Sequence, residues 1–292
     1  MQKTKIAWCY ASWNPIVGCT KIAAGCANCY AERMAKLLKR IGITQYQDVV
    51  DENGWTGELR FVPKALDKPI KWRKPQQIFI CSMGDLFHDK VEFSWIDEIA
   101  YVIKQFPQHT YIATTKRAKN MRTRMNYYYN KVSPPNPIPN LHLGISISTQ
   151  QDLDANIGHL LDTPAAVRWI SYEPAVEPID ITRCLTKCDK CGMTGLTPIK
   201  KIARYYCAIC GQEVAWYKTI DWVVVGCESG PGRRPMKLEW ALDLVLQCRL
   251  INIPVFVKQL EVDGSVTDDM SKFPKELQVR EYSKRIKEAD DE

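Results

Sequence analysis

The sequence predicts an α/β fold of the β/α-barrel type, and three observations carry that prediction. Short apolar, β-branched runs recur along the chain, helix-patterned segments separate them, and polar residues stand at the C-terminal end of almost every run. Continuous apolar runs suit strands buried on both faces of a parallel sheet. Strand–helix–strand alternation is the pattern of an α/β domain. In a parallel barrel the strand ends converge on one mouth, where such barrels place their chemistry.

The apolar runs cover residues 77–86, 110–117, 141–150, 167–175, 221–231 and 253–260. Two further strands, over 5–10 and 58–62, bring the count near that of a partial or full TIM-like barrel, with a doubly wound open sheet as the alternative. Helical spacing marks 30–40, 94–105, 151–161 and 238–250; in the last, Leu238, Ala241, Leu242, Val245 and Leu246 share one face. Residues 133–140, SPPNPIPN, are too rigid and donor-poor for a helix or an inner strand. The polar residues at the strand ends are Ser82, Asp85, Lys116, Ser146, Ser148, Glu173, Glu228, Ser229, Lys258 and Gln259.

The expected organisation is one barrel with an insertion. Residues 1–183 form its first part, 184–212 a zinc ribbon, 213–270 the remainder and 271–292 a charged tail. The 292 residues are enough to bury a full core. No apolar run approaches the roughly 18 residues of a membrane span, and the N-terminus has no apolar signal core. A cytoplasmic protein without membrane contact is therefore expected. In that reducing compartment the twelve cysteines read as thiols or metal ligands rather than disulfides.

Seven cysteines fall in metal-like spacings. Cys19, Cys26 and Cys29 stand as C-x6-C-x2-C in a loop that leads into the 30–40 helix. Three soft sulfur ligands suit an iron–sulfur cluster or zinc, and a fourth position left open is where chemistry can occur. The other reading is structural zinc or buried free thiols. Cys188 and Cys191, then Cys207 and Cys210, form two C-x2-C knuckles, each followed by glycine and separated by 15 residues. That spacing matches a four-thiolate zinc ribbon, with rubredoxin-like iron as the competing metal. Cys9, Cys81, Cys184, Cys227 and Cys248 follow no pattern and are expected to pack.

Two more stretches bear on ligands. Glycines 226, 230 and 232, with Arg233 and Arg234, form a turn that can approach a polar cofactor closely, Glu228 taking a ribose hydroxyl or an amine. Residues 116–131, KRAKNMRTRMNYYYNK, hold six basic residues and no acidic one. They read as a nucleic-acid face or as a solvated helix whose tyrosines pack on the body. Residues 64–74 are a second basic stretch.

Taken together, Trp13-Asn14-Pro15, GCTKIAAGCANCYAE at 18–32, CSMGDLF at 81–87, TTKR at 114–117, LGIS at 143–146, SYEP at 171–174 and DWVVVGCESGPGRRPM at 221–236 resemble the phage-associated three-cysteine-motif family. That family is similar to radical S-adenosylmethionine (SAM) proteins. The resemblance implies a [4Fe–4S] cluster held by Cys19, Cys26 and Cys29, with SAM at the fourth iron. It makes Ser82, Asp85, Ser146, Ser148, Glu228, Ser229 and Gly230 candidate SAM contacts, and Glu173, Lys116 and Lys258 candidate substrate or proton-handling groups. The spacing differs from the usual C-x3-C-x2-C, Tyr30 follows the last cysteine instead of preceding it, and CSMGD stands where a Gly-Gly-Glu run is usual.

The expected function is a radical SAM-like enzyme that generates a 5′-deoxyadenosyl radical, acting on a nucleic acid or nucleotide. A partner protein is a further expectation. The alternatives are a zinc-only nucleic-acid-binding protein and a metal-dependent hydrolase or lyase that works without SAM.

Overall fold

Val, Ile, Phe, Trp and Tyr dominate the inner strands because such side chains fit a pleated sheet covered on both sides. The computed structural model describes residues 4, 6–132, 136–182, 190–191, 199–201, 204–206, 210–212 and 220–283. In chain order the elements are β1 (Ala11–Trp13), β2 (Ile16–Val17), α1 (Tyr30–Arg40), β3 (Arg60–Phe61), β4 (Gln77–Ile80), α2 (Phe93–Gln105), β5 (Thr110–Thr115), α3 (Ala118–Lys131), β6 (Leu141–Ile147), α4 (Gln150–Leu161), β7 (Val167–Tyr172), β8 (Ile199–Lys201), β9 (Arg204–Tyr206), β10 (Trp222–Gly226), α5 (Leu238–Leu250), β11 (Val255–Val262) and β12 (Ser265–Thr267).

The main sheet has eight strands in the order β1-β4-β5-β6-β7-β10-β11-β12. Every neighbouring pair is parallel except β11–β12. This order never reverses, so the sheet is singly wound like a barrel wall and not doubly wound. It is curled and stays open, with β1 at one edge and β12 at the other.

The strand period of two sorts each strand's side chains onto two faces. Ile78, Ile80, Tyr111, Ala113, Leu143, Ile145, Ile170, Val223, Val225 and Val257 face outward, in one core with Ile99 and Ile103 of α2, Met121 and Met125 of α3, Leu153 of α4 and Leu244 of α5. Thr149 caps α4: its side chain accepts from the Asp152 N–H while the Asp152 carboxylate accepts from the Thr149 N–H.

The inner face is graded along its length. Its N-terminal half holds Phe79, Ile112, Trp169, Trp222, Val224 and Phe256, closed from below by Trp8. Ring centroids lie 4.9 Å apart for Trp8–Phe79, 5.4 Å for Trp8–Trp169 and 5.3 Å for Trp169–Trp222. Two positions further along the same strands, the side chains turn polar: Thr114 after Ile112, Ser171 after Trp169 and Lys258 after Phe256. An aromatic floor thus lies beneath a polar chamber.

Gly144 makes that floor possible, because a Cβ there would lie 2.5 Å from the Trp169 ring. Gly144→Ala is expected to lower stability by about 1–3 kcal/mol through overpacking, read as a shift of the urea midpoint at unchanged slope.

Several expectations change. The strand expected over 5–10 begins instead at Ala11, and Trp8 joins the floor. The strand expected over 58–62 is the two-residue β3, which pairs with β2 outside the main sheet. The run 77–86 leaves the sheet after Ile80, where Cys81 adopts φ 56° and the chain turns. Part of the expected tail is built into the body: Phe273 and Leu277 are buried, Val257 N–H donates to Val279 O at 2.9 Å, and Tyr282 stacks on Trp222. Residues 284–292 lie outside the described residues.

Between β7 and β10, strands β8 and β9 form an antiparallel hairpin between the Cys191 and Cys210 positions. Cys184, where the ribbon was expected to begin, lies outside the described residues, as do Cys188 and Cys207. Among the described residues no helix is long and apolar enough to cross a membrane.

Candidate functional site

The polar end of the inner face opens into a chamber of about 240 Å³. Trp8 and Phe79 line its floor, Thr114, Lys116, Ser146, Ser171, Glu173 and Lys258 its walls, and Cys19, Cys26 and Cys29 its mouth. The three cysteines reach one chamber because their loop is short and turns tightly. Gly18 sits at φ 98° with Glu58 O where a Cβ would go, Ala24–Cys26 forms a 3-10 turn, and Cys29 is the N-cap of α1. Cys29 makes no side-chain cap hydrogen bond, so its sulfur is left for other work. Gly25 lets the loop descend onto the strand ends, since a Cβ there would lie 2.1 Å from Ser148 Oγ and 3.3 Å from Lys116 Cε.

Three braces hold this loop. At the end of β5, the buried Arg117 pairs with Asp85 at 3.0 Å and with Asp89 at 3.3 Å. The same guanidinium donates to Thr20 O at 3.3 Å and to Thr20 Oγ1, and its Nη1 lies 3.8 Å from Cys19 Sγ. Thr115 donates to Asp85 from beneath, and Phe87 N–H donates to Asp85 Oδ1 at 2.9 Å. Burial pushes the Cys19 thiol up to about 12, Asp85 adding to the effect and Arg117 opposing it.

At the end of β10, Asn28 donates to Glu228 Oε2 and to Gly232 O, each at 2.8 Å. Arg33 donates to Ser229 O at 2.8 Å. Glu228 also accepts from Arg234 N–H at 2.8 Å and from its Nε at 3.1 Å. Burial alone would raise the Glu228 carboxyl, but the hydrogen bonds from Arg234 and Asn28 outweigh it and hold the group below its usual range. The third brace is Tyr30, whose hydroxyl donates to Ser82 O at 2.7 Å beyond β4.

These contacts sort the expected site residues. Glu173, Lys258, Lys116 and Ser146 face the chamber together. Lys258 Nζ stands 2.8 Å from Glu173 Oε1, Lys116 donates to Ser146 Oγ, and Ser146 Oγ donates to Glu173 O at 3.2 Å. Gly226 makes room for Glu173, whose Oε1 lies 2.5 Å from where a Cβ would stand.

Asp85, Glu228, Ser82 and Ser229 border the chamber, but the polar groups just described engage them as braces. Ser148 is fully buried beneath Gly25 with its Oγ unpartnered and does not line the chamber. Gly230 packs on Arg33. The expected buried cysteines Cys9, Cys81, Cys227 and Cys248 are buried, and Cys81 and Cys227 also line the chamber. Sequence reasoning missed Arg117, Asn28, Arg33, Thr114 and Ser171; the TTKR run was the available signal for the first.

The basic stretch 116–131 resolves differently from a nucleic-acid face. Lys116 is inside the chamber and Arg117 is a buried brace. Arg122 pairs with Asp162, Arg124 is buried against the His88 and Asp89 carbonyls, and Lys131 pairs with Asp97 over the Tyr127 ring. Tyr128 and Tyr129 are buried in the core. In the second stretch Lys64, Lys68, Lys71, Arg73 and Lys74 remain exposed, with no ion pair among the described residues.

The donor set is soft and thiol-rich, and the Cys26 and Cys29 sulfurs make no hydrogen bond among the described residues, which fits a thiolate-ligated group at the mouth. In the arrangement described, no three His, Cys, Asp or Glu side chains among the described residues are gathered at metal-ligand distance. Comparison with curated proteins and with solved structures finds no match in either. A family model described as a protein of unknown function, DUF5131, matches residues 3–289, and the chain belongs to that family.

Proposed function

We propose that the chain is an iron–sulfur enzyme of the radical SAM type, with Cys19, Cys26 and Cys29 holding a [4Fe–4S] cluster and SAM binding beside it. The observation that supports this most is that all three cysteines border one chamber at the polar end of a half-barrel, above an aromatic floor. Binding would draw the three sulfurs together, since ligation energy serves to order such loops. Held by Cys19, Cys26 and Cys29 and given one electron by an external reductant, the cluster with SAM would supply reductive carbon–sulfur cleavage chemistry.

The chain's own residues then do four things. Arg117, Asn28, Arg33 and Tyr30 fix the cysteine loop over the strand ends. Trp8, Phe79 and Trp169 close the floor and exclude water from below. Glu173 and Lys258, paired across β7 and β11, can hold or pass a proton on the substrate, while Lys116 and Ser146 orient its polar groups. The knuckles with Cys188, Cys191, Cys207 and Cys210 would hold a structural zinc. A nucleic-acid or nucleotide substrate draws its support from Lys64, Lys68, Lys71, Arg73 and Lys74 rather than from residues 116–131.

The test is product formation. Protein purified without oxygen, given dithionite and SAM, is expected to release 5′-deoxyadenosine and methionine in equal amounts. Release of neither by protein that carries a full cluster would overturn the proposal.

A further inference from the structure

The chamber's charges pair off with one exception. Asp85 is matched by Arg117, Glu173 by Lys258 and Glu228 by Arg234. Lys116 lines the same chamber and has no carboxylate partner among the described residues; its ammonium touches Ser146 Oγ. Next to it, Thr114 Oγ1 is buried with no hydrogen-bond partner and also lines the chamber. Thr114 and Lys116 share one face of β5 and its continuation, and the register of β5 sets Thr114 against Gly144 of β6, two residues before Ser146. The Trp169 ring fills the place of a side chain at Gly144, so Thr114 and Ser146 stand at the edge of the aromatic floor. A cation and two hydroxyl groups thus line one chamber with no carboxylate paired to the ammonium among the described residues, and a half-buried positive charge left uncompensated is costly unless a ligand brings the counter-charge.

The geometry points to an anion subsite at Lys116, Thr114 and Ser146 that takes a phosphate or carboxylate group of the bound ligand. This deepens the reading above by naming the ligand's charged group, and rests on that reading only for the chemistry performed beside it. Two sources share this chemistry: a phosphorylated substrate and the amino-acid portion of a cofactor.

Calorimetric titration of the anaerobically purified protein with inorganic phosphate, and separately with acetate, at constant ionic strength tests the subsite. Wild type is expected to bind at least one of the two. Lys116→Met is expected to weaken that binding tenfold or more, Ser146→Ala severalfold, and Lys116→Arg much less than Lys116→Met. Lys119→Met, an exposed lysine one turn away on the surface of α3, is expected to leave it unchanged. Binding of phosphate alone assigns the subsite to a substrate phosphate, and binding of acetate alone assigns it to a carboxylate.

Binding that is equal in wild type and both Lys116→Met and Ser146→Ala, or absent for both anions in wild type, overturns the inference. So does an altered cluster resonance in Lys116→Met with anion affinity unchanged, which would make Lys116 a counter-charge for the thiolates. Repeating the titration on iron-free protein separates the two proposals. Anion binding there keeps the subsite even if the cluster reading fails, and 5′-deoxyadenosine release without any anion binding does the reverse.

Discussion

Replacing Arg117 with methionine is expected to lower the free energy of unfolding by about 3–5 kcal/mol, the usual cost of leaving one charge of a buried pair alone. Asp85 would be that charge. The two side chains are 5% and 8% exposed and stand 3.0 Å apart. At that burial water replaces the lost partner poorly, and Thr115 and the Phe87 N–H supply only neutral donors. The double variant Arg117→Met, Asp85→Leu is expected to recover much of the loss, because an apolar pair of similar volume removes both the charge and its desolvation cost. Urea denaturation of the three variants checks this, with the coupling read from the double-mutant cycle. Arg117→Lys is expected to recover only part, since an ammonium cannot serve Asp85, Asp89, Thr20 and Cys19 at once as the guanidinium fork does. A double variant whose loss equals the sum of the two single losses would show that the brace carries no coupling.

Cys29→Ala is expected to abolish iron binding with little effect on the fold. The residue is an N-cap without a side-chain cap bond, and its sulfur has no hydrogen-bond donor among the described residues, so the folded chain without metal loses almost nothing, about 0.5 kcal/mol or less. The proposed cluster would lose a ligand outright. Iron content is expected to fall from about four per chain to near zero, while far-ultraviolet circular dichroism and zinc content stay as in wild type. Loss of the fold together with the iron would make the three-cysteine site a structural staple instead.

The fold was legible wherever local pattern and tertiary role agree. Val223, Val224 and Val225 read as a doubly covered strand and are one, because apolar residues at consecutive positions require cover on both faces. The graded inner face was legible as polar residues at strand ends. Closure of the barrel was not, since it depends on strand tilt and on how the edges meet, which no run of residues encodes. The short edge strand β1 was misplaced by a few residues because Trp8 and Cys9 look like strand but pack beneath the sheet as its floor.

The site was legible by residue type and less so by role. Cys19, Cys26 and Cys29 were singled out by spacing, and their loop brings all three to the border of one chamber. Asp85 and Glu228 were found as polar residues at strand ends, but their partners come from far along the chain: Arg117 for the first, and Asn28 as well as Arg234 for the second. A sequence shows that a carboxylate is present at the mouth and not whether a guanidinium already occupies it. The run Tyr127-Tyr128-Tyr129 failed as a nucleic-acid signal for a related reason. Helical geometry sends Tyr128 and Tyr129 inward and leaves only Tyr127 outside, against Phe93 and Lys131.

Metal and acid-labile sulfide content, together with electron paramagnetic resonance on protein purified without oxygen, before and after dithionite and SAM, test the central claim most directly. The expected result is about four irons, four sulfides and one zinc per chain, with a reduced-cluster signal that changes when SAM is added. About two zincs, no iron and no signal would contradict it and put a zinc-only nucleic-acid-binding protein in its place.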